Sequence, residues 1–159
     1  MHLLLVGHNT ARDPLVAIAR YVRGRGNLVS CFFNKYLDCV NAERGFPRTD
    51  FLILGLCAQS RDKDSPEFAV EQDVIVRATG LGIPCGIICD EFGNVSAPYL
   101  IEVSSKIRLV VAHAQNPACN ATDIYENALP LYLSDVAVGG AAIADALSTI
   151  LRLKHRARA

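Results

Sequence analysis

The run DFLILGLC, residues 50–57, limits the choice of fold more than any other stretch. After the leading aspartate it carries no charged or amide side chain. A strand with one wet face alternates apolar and polar residues, and this one does not, so both of its faces must be buried. HLLLVG (2–7), NLVSCFF (27–33), IPCGIICD (83–90), IRLVVAHA (107–114) and ALPLYL (128–133) repeat the pattern, predicting up to six strands. The apolar runs of about eight residues fall far short of the roughly 20 that a membrane-crossing helix needs.

Helical signals separate the runs. Asp13 followed by Pro14 predicts an N-cap and a first helical residue, with Leu15, Val16, Ile18, Ala19 and Val22 as the apolar face and the GRG of 24–26 as the stop. Residues 35–45 are polar and suit a short helix. Ser65 and Pro66 repeat the start signal, and Glu67 is placed to favour the helix dipole. That helix runs to about Thr79, where GLG ends it. Residues 91–99 and 115–123 read as loops, and a closing helix spans about 137–154. Buried strands separated by helices form a parallel sheet covered on both sides. Right-handed crossovers make it doubly wound. The expected fold is a three-layer α/β domain, Rossmann-like or flavodoxin-like, spanning 1–159 with a mostly parallel sheet of five or six strands.

Composition excludes some partners. Sixteen basic and sixteen acidic residues cancel, so no global field attracts nucleic acid. The basic tail of Arg152, Lys154, His155, Arg156 and Arg158 reads as a cationic helix end. No basic segment precedes the first strand and no cleavage signal follows it. Cys31, Cys57, Cys85 and Cys89 lie in apolar runs where a free thiol behaves as a small hydrophobe. A cytoplasmic chain with reduced thiols and no membrane partner is therefore expected. Cys85 and Cys89 stand about 13 Å apart along a strand, too far for one tetrahedral zinc. Cys119 has no neighbouring base to activate it. The acids of DKDSPE (62–67) read as a solvated loop and helix cap, not a cation site. No metal or cofactor is expected.

Ligands of open parallel sheets bind beyond the carboxyl ends of the strands, where strand order reverses. That rule selects His8, Asn9 and Thr10 after strand one, and Gln59, Ser60, Arg61 and Asp62 after strand three. It also selects Asp90, Glu91 and Asn94 after strand four, and His113 and Gln115 after strand five. Imidazoles and carboxylates suit acid–base chemistry, and amides and hydroxyls suit recognition of a polar ligand. The competing reading is that strands end in polar residues because loops lie at the surface. Strand one is followed by GHNTAR, which lacks the glycines of a dinucleotide turn. The chain has no phosphate-binding G-x-x-x-x-G-K-[ST] loop and no G-x-S-x-G serine elbow.

Two resemblances extend this reading. GHNTARDPLVAIARYVRGRGN (7–27) resembles the first strand–loop–helix of GT-B glycosyltransferases, through Gly7, His8, Pro14, Leu15 to Val22, Arg25 and Gly26. The stretch from DFLILGL to GIPCGIICDEFGN, within residues 50–94, resembles the later strands of the same N-terminal domain. The resemblance implies that His8 is the general base of glycosyl transfer from a nucleotide sugar, with Asp90 or Glu91 orienting it or binding hydroxyls. An imidazole titrates near neutral pH, as that role requires. Those enzymes hold the nucleotide mainly in a second Rossmann-like domain. The resemblance therefore implies a partner subunit, a degenerate domain or a shared fold alone. DSPEFAVEQ (64–72), followed by a helix and GIP, resembles nucleoside 2-deoxyribosyltransferases, small single-domain α/β enzymes. That likeness implies a catalytic glutamate, Glu71 or Glu67, attacking the sugar carbon. A third reading is a non-catalytic flavodoxin-like module that binds a ligand or a protein.

The closing helix carries Val136, Ala137, Ile143, Ala144, Leu147, Ile150, Leu151 and Leu153, more apolar surface than one buried stripe needs. It predicts a broad core face or a homo-oligomer contact.

Overall fold

The computed structural model describes residues 1–7, 9–32, 44–89, 94–112, 124–132 and 141–158, with side chains to residue 152 in the last segment. Strands β1 (His2–Val6), β2 (Leu28–Phe32), β3 (Phe51–Leu56), β4 (Cys85–Cys89), β5 (Ile107–Ala112) and β6 (Leu129–Tyr132) form one six-stranded sheet. Every pairing is parallel, in the order β2-β1-β3-β4-β5-β6. Helices α1 (Arg12–Gly24), α2 (Pro66–Gly80), α3 (Pro98–Val103) and α4 (Ala141–Arg158) cover it. This is the doubly wound α/β fold that the apolar runs predict.

Strand alternation divides the core. Leu4, Val6, Leu52, Leu54, Leu56, Ile87 and Val110 point to one face, where Val74, Ile75 and Ala78 of α2 and Leu100 and Val103 of α3 meet them. Leu3, Leu5, Ile53, Ile88, Leu109 and Val111 point to the other, against Leu15, Ile18 and Val22 of α1 and Ile143, Leu147 and Ile150 of α4. Every residue of β3 is buried, as its sequence demands. Each of its large side chains contributes roughly 1.5–3 kcal/mol by leaving water. The edge strands β2 and β6 are only partly covered.

Ser65 caps α2, its hydroxyl accepting the Phe68 amide hydrogen over 3.1 Å. The same signal at Asp13 works differently. The cap position of α1 is Ala11, without a side-chain bond, because a 3-10 turn at Asn9–Ala11 runs straight into the helix. Asp13 lies inside the first turn, where its charge faces the positive end of the dipole. Both helices end in the same closure. Gly26 and Gly82 hold φ of 77° and 75°, and the amides of Gly82 and Ile83 return to Thr79 and Ala78 at 3.1 Å each.

Two differences from the sequence reading stand out. Pro98 starts helix α3 inside what reads as a loop through residue 99. Phe46–Arg48 forms a 3-10 turn; most of the helix expected over 35–45 lies outside the described residues. In α4, Ile143, Ala146, Leu147 and Ile150 are buried in the core while Ala144 and Leu151 are half-buried. Val136 and Ala137, and the side chain of Leu153, lie outside the described residues. No helix among the described residues is long and apolar enough to cross a membrane.

Candidate functional site around Glu71

Strand order reverses between β1 and β3, the neighbours at which successive connections turn in opposite directions. Ligand crevices open beside such a reversal. The first turn of α1 presses closely on it. A Cβ on Gly55 would stand 2.6 Å from Ala11 Cβ and 2.9 Å from Leu15 Cδ1, and one on Gly7 would stand 2.5 Å from Leu15 Cδ1. The segments after β1 and β3 are also joined by polar contacts. The Ala58 amide donates to Thr10 Oγ1 over 3.2 Å, and Asn9, at a φ of 52°, donates through Nδ2 to Glu67 over 3.4 Å.

Beneath this edge lies Glu71. It projects from the second turn of α2 towards the end of β3 and is 1 % exposed. Its Oε1 accepts the Cys57 amide hydrogen over 3.0 Å, and its Oε2 accepts the Tyr99 hydroxyl hydrogen over 3.2 Å. Ser60, also buried, has two claimants for its one hydroxyl hydrogen: the Cys57 carbonyl at 2.7 Å and the Glu71 carboxylate. Tyr99 is held edge-on against Phe68, with ring centroids 5.0 Å apart and planes at 89°.

Burial drives the Glu71 carboxyl up from 4.5 to about 7, against the opposing pull of Ser60, the Cys57 amide and thiol, and Tyr99. Near neutral pH the group therefore exists in both protonation states. A carboxyl balanced in this way can take up or release a proton near neutral pH. Burial, followed by the nearby Glu71 charge, pushes the Cys57 thiol up to about 12. The Tyr99 phenol is raised for the same two reasons. Both stay neutral beside the carboxylate.

The sequence-predicted residues separate into groups. Glu71 is buried at the carboxyl edge. Asn9, Thr10, Ser60 and Glu67 gather around the β1–β3 reversal, and Gln59 lies exposed beside Ser60. Asn94 makes a local turn, its Oδ1 accepting the Ser96 amide over 3.1 Å. His8, Asp90, Glu91, His113 and Gln115 lie outside the described residues, as does Cys119. Tyr99 was not legible as a site residue, because its reach to Glu71 depends on α3. The signal available was Pro98, a residue suited to a helix start. Among the described residues, no group of three His, Cys, Asp or Glu side chains could hold a metal ion.

A separate cleft of about 720 Å³, lined by Phe46, Pro47, Arg77, Gly80, Leu81 and Ile83, lies at the opposite, amino edge of β3 and β4. Its lining brings no carboxylate, imidazole or thiol together.

No protein-family model matches this chain, and no curated protein matches it. Among solved structures it is similar to a flavodoxin of Streptococcus pneumoniae TIGR4, at 12 % identity, with 89 % of this chain and 99 % of that one covered and a TM-score of 0.46.

Proposed function

We propose that the chain binds a nucleoside at the carboxyl edge of its sheet and transfers or hydrolyses the glycosyl group through Glu71. The observation that carries this reading is the placement of Glu71: a buried carboxyl at the end of β3, beside the strand-order reversal, balanced between its two protonation states. The resemblance of DSPEFAVEQ to nucleoside 2-deoxyribosyltransferases offers Glu71 or Glu67 for the same role, and the buried one is Glu71.

In the proposed reaction, the turn after β3 moves aside and an ionised Glu71 oxygen, 1 % exposed in this structure, forms a bond to the anomeric carbon. The carbon–nitrogen bond to the base breaks, and its electron pair leaves with the base, which takes a proton from solvent. A second base or a water then attacks the anomeric carbon, loses its proton, and displaces the carboxylate. Asn9, Thr10 and Gln59, polar groups on the segments after β1 and β3, are assigned to ligand recognition. The free thiols of Cys31, Cys57, Cys85 and Cys89 support a reducing, cytoplasmic setting.

A second reading makes His8, which follows Gly7 in sequence, the base of transfer from a nucleotide sugar. One panel distinguishes the two. Purified chain, His8→Ala and Glu71→Gln are screened by thermal shift against 2′-deoxynucleosides, nucleotides and nucleotide sugars, and free base is measured by chromatography. A ligand at about 100 times its Kd stabilises by roughly 2.7 kcal/mol, well within reach of the screen. Stabilisation by a 2′-deoxynucleoside, with base release lost in Glu71→Gln, is the expected result. A shift only with nucleotide sugars, lost in His8→Ala, transfers the assignment to His8. No shift and no release overturns both.

A further inference from the structure

Each oxygen of Glu71 has its own donor from a different element. The end of β3 supplies the Cys57 amide to Oε1, and α3 supplies the Tyr99 hydroxyl to Oε2. The amide is fixed by the strand. The hydroxyl is fixed by its ring, which is 3 % exposed and packed edge-on against Phe68. Phe68 stands three residues before Glu71 on α2, on the neighbouring turn of the same face. The phenol cannot turn away from the carboxylate unless the ring leaves the core.

We infer that Tyr99 is a positioning residue for Glu71, its hydroxyl holding Oε2 so that the carboxylate keeps one orientation beneath the carboxyl edge. The catalytic meaning of that role rests on the glycosyl-transfer reading above; the physical coupling of the two side chains does not. A donor to a carboxylate stabilises the ionised form more than the neutral acid. Tyr99 therefore also favours the form that attacks. The groups facing Glu71 are the Cys57 amide and thiol, the Ser60 hydroxyl and Tyr99. Beyond Tyr99 stands Tyr125, whose hydroxyl donates to the Val95 carbonyl and whose other titratable neighbour is the Cys89 thiol. Tyr99 is the donor that reaches Oε2 from α3, and Tyr99→Phe removes its hydroxyl while keeping the ring.

The test is a carbon NMR titration of glutamate carboxyls in the full chain, with Glu71→Gln identifying the Glu71 signal. In Tyr99→Phe the Glu71 midpoint is expected to rise by about half to one pH unit, the difference between a charged and a neutral acceptor. A midpoint that does not move overturns the inference, because a ring that only fills space would leave it in place. A second measurement needs no Tyr99 variant. The Tyr99 ring-carbon signal next to the hydroxyl in the wild-type chain should titrate with the Glu71 midpoint and become flat in Glu71→Gln. A signal flat in both chains overturns the inference.

The activity arm is read separately with a 2′-deoxynucleoside. The kcat–pH profile of Tyr99→Phe should move upward in step with the NMR midpoint while KM stays constant. Base release with an unmoved midpoint removes Tyr99's role and leaves the glycosyl reading intact. A moved midpoint in a chain that releases no base upholds the coupling and removes that reading.

Discussion

Glu71 Oε1 accepts the amide hydrogen of Cys57 over 3.0 Å, joining helix α2 to the residue that directly follows β3. The bond crosses 14 residues of sequence and is buried. It fixes a titratable group where ionisation opposes folding.

The consequence is a stability that depends on pH. The Glu71 carboxyl titrates at about 7 in the folded chain against an ordinary 4.5. A raised acid pKa contributes stability fully below pH 4.5, and that contribution is lost as pH rises through 7. The span corresponds to about 3 kcal/mol. Glu71→Gln keeps the shape and both partners, since the amide oxygen serves Cys57 and the amide nitrogen donates to the Tyr99 oxygen. The difference in urea midpoint between wild type and Glu71→Gln should therefore change between pH 5 and pH 8, with the variant the more stable at pH 8. A constant difference would show that Glu71 does not titrate in this range.

The two glycines that close α2 should respond oppositely to alanine. Gly82 holds a φ of 75°, whereas Gly80 lies within the helix with open space around its Cα. Gly82→Ala should destabilise by about 1 kcal/mol, because a side chain resists the left-handed region. Gly80→Ala should stabilise by roughly 0.5–1 kcal/mol. Thermal unfolding of the two variants checks the pair, and equal effects would contradict the closure.

Gly55→Ala tests the packing of α1 on the strand reversal. The new methyl would meet Ala11 Cβ at 2.6 Å and Leu15 Cδ1 at 2.9 Å. Overpacking of this kind costs about 1–3 kcal/mol. The same shift should move the Thr10–Ala58 contact, which hydrogen exchange at the Ala58 amide reads as faster exchange.

Thiol reactivity should divide by burial. Cys57 and Cys85 are fully buried with thiols pushed up to about 12. Cys31 is half-exposed on the edge strand β2, and Arg23 opposes the upward push of burial. Brief iodoacetamide treatment of the folded chain at pH 8 should modify Cys31 before Cys57 or Cys85, as peptide mass spectrometry would show. Early modification of Cys57 would mean that the β3 edge opens readily.

The parallel sheet was legible in the apolar runs, because burial on both faces leaves no room for alternation. The Ser65 cap and both glycine stops were legible too, since each is a local demand of one helix end. The candidate site was legible in part. The carboxyl-edge rule gathers Asn9, Thr10 and Ser60, and the resemblance around DSPEFAVEQ narrows the carboxylate to Glu71 or Glu67. Neither reveals what state Glu71 is in. That state depends on Cys57, Ser60 and Tyr99 arriving from β3, its following turn and α3. Local rules fix periodicity, caps and turns through neighbours a few residues apart. The desolvation of one carboxyl, and the donors left to oppose it, arise from groups 11 to 28 residues away, and only the packing of α2 and α3 on the sheet brings them to it.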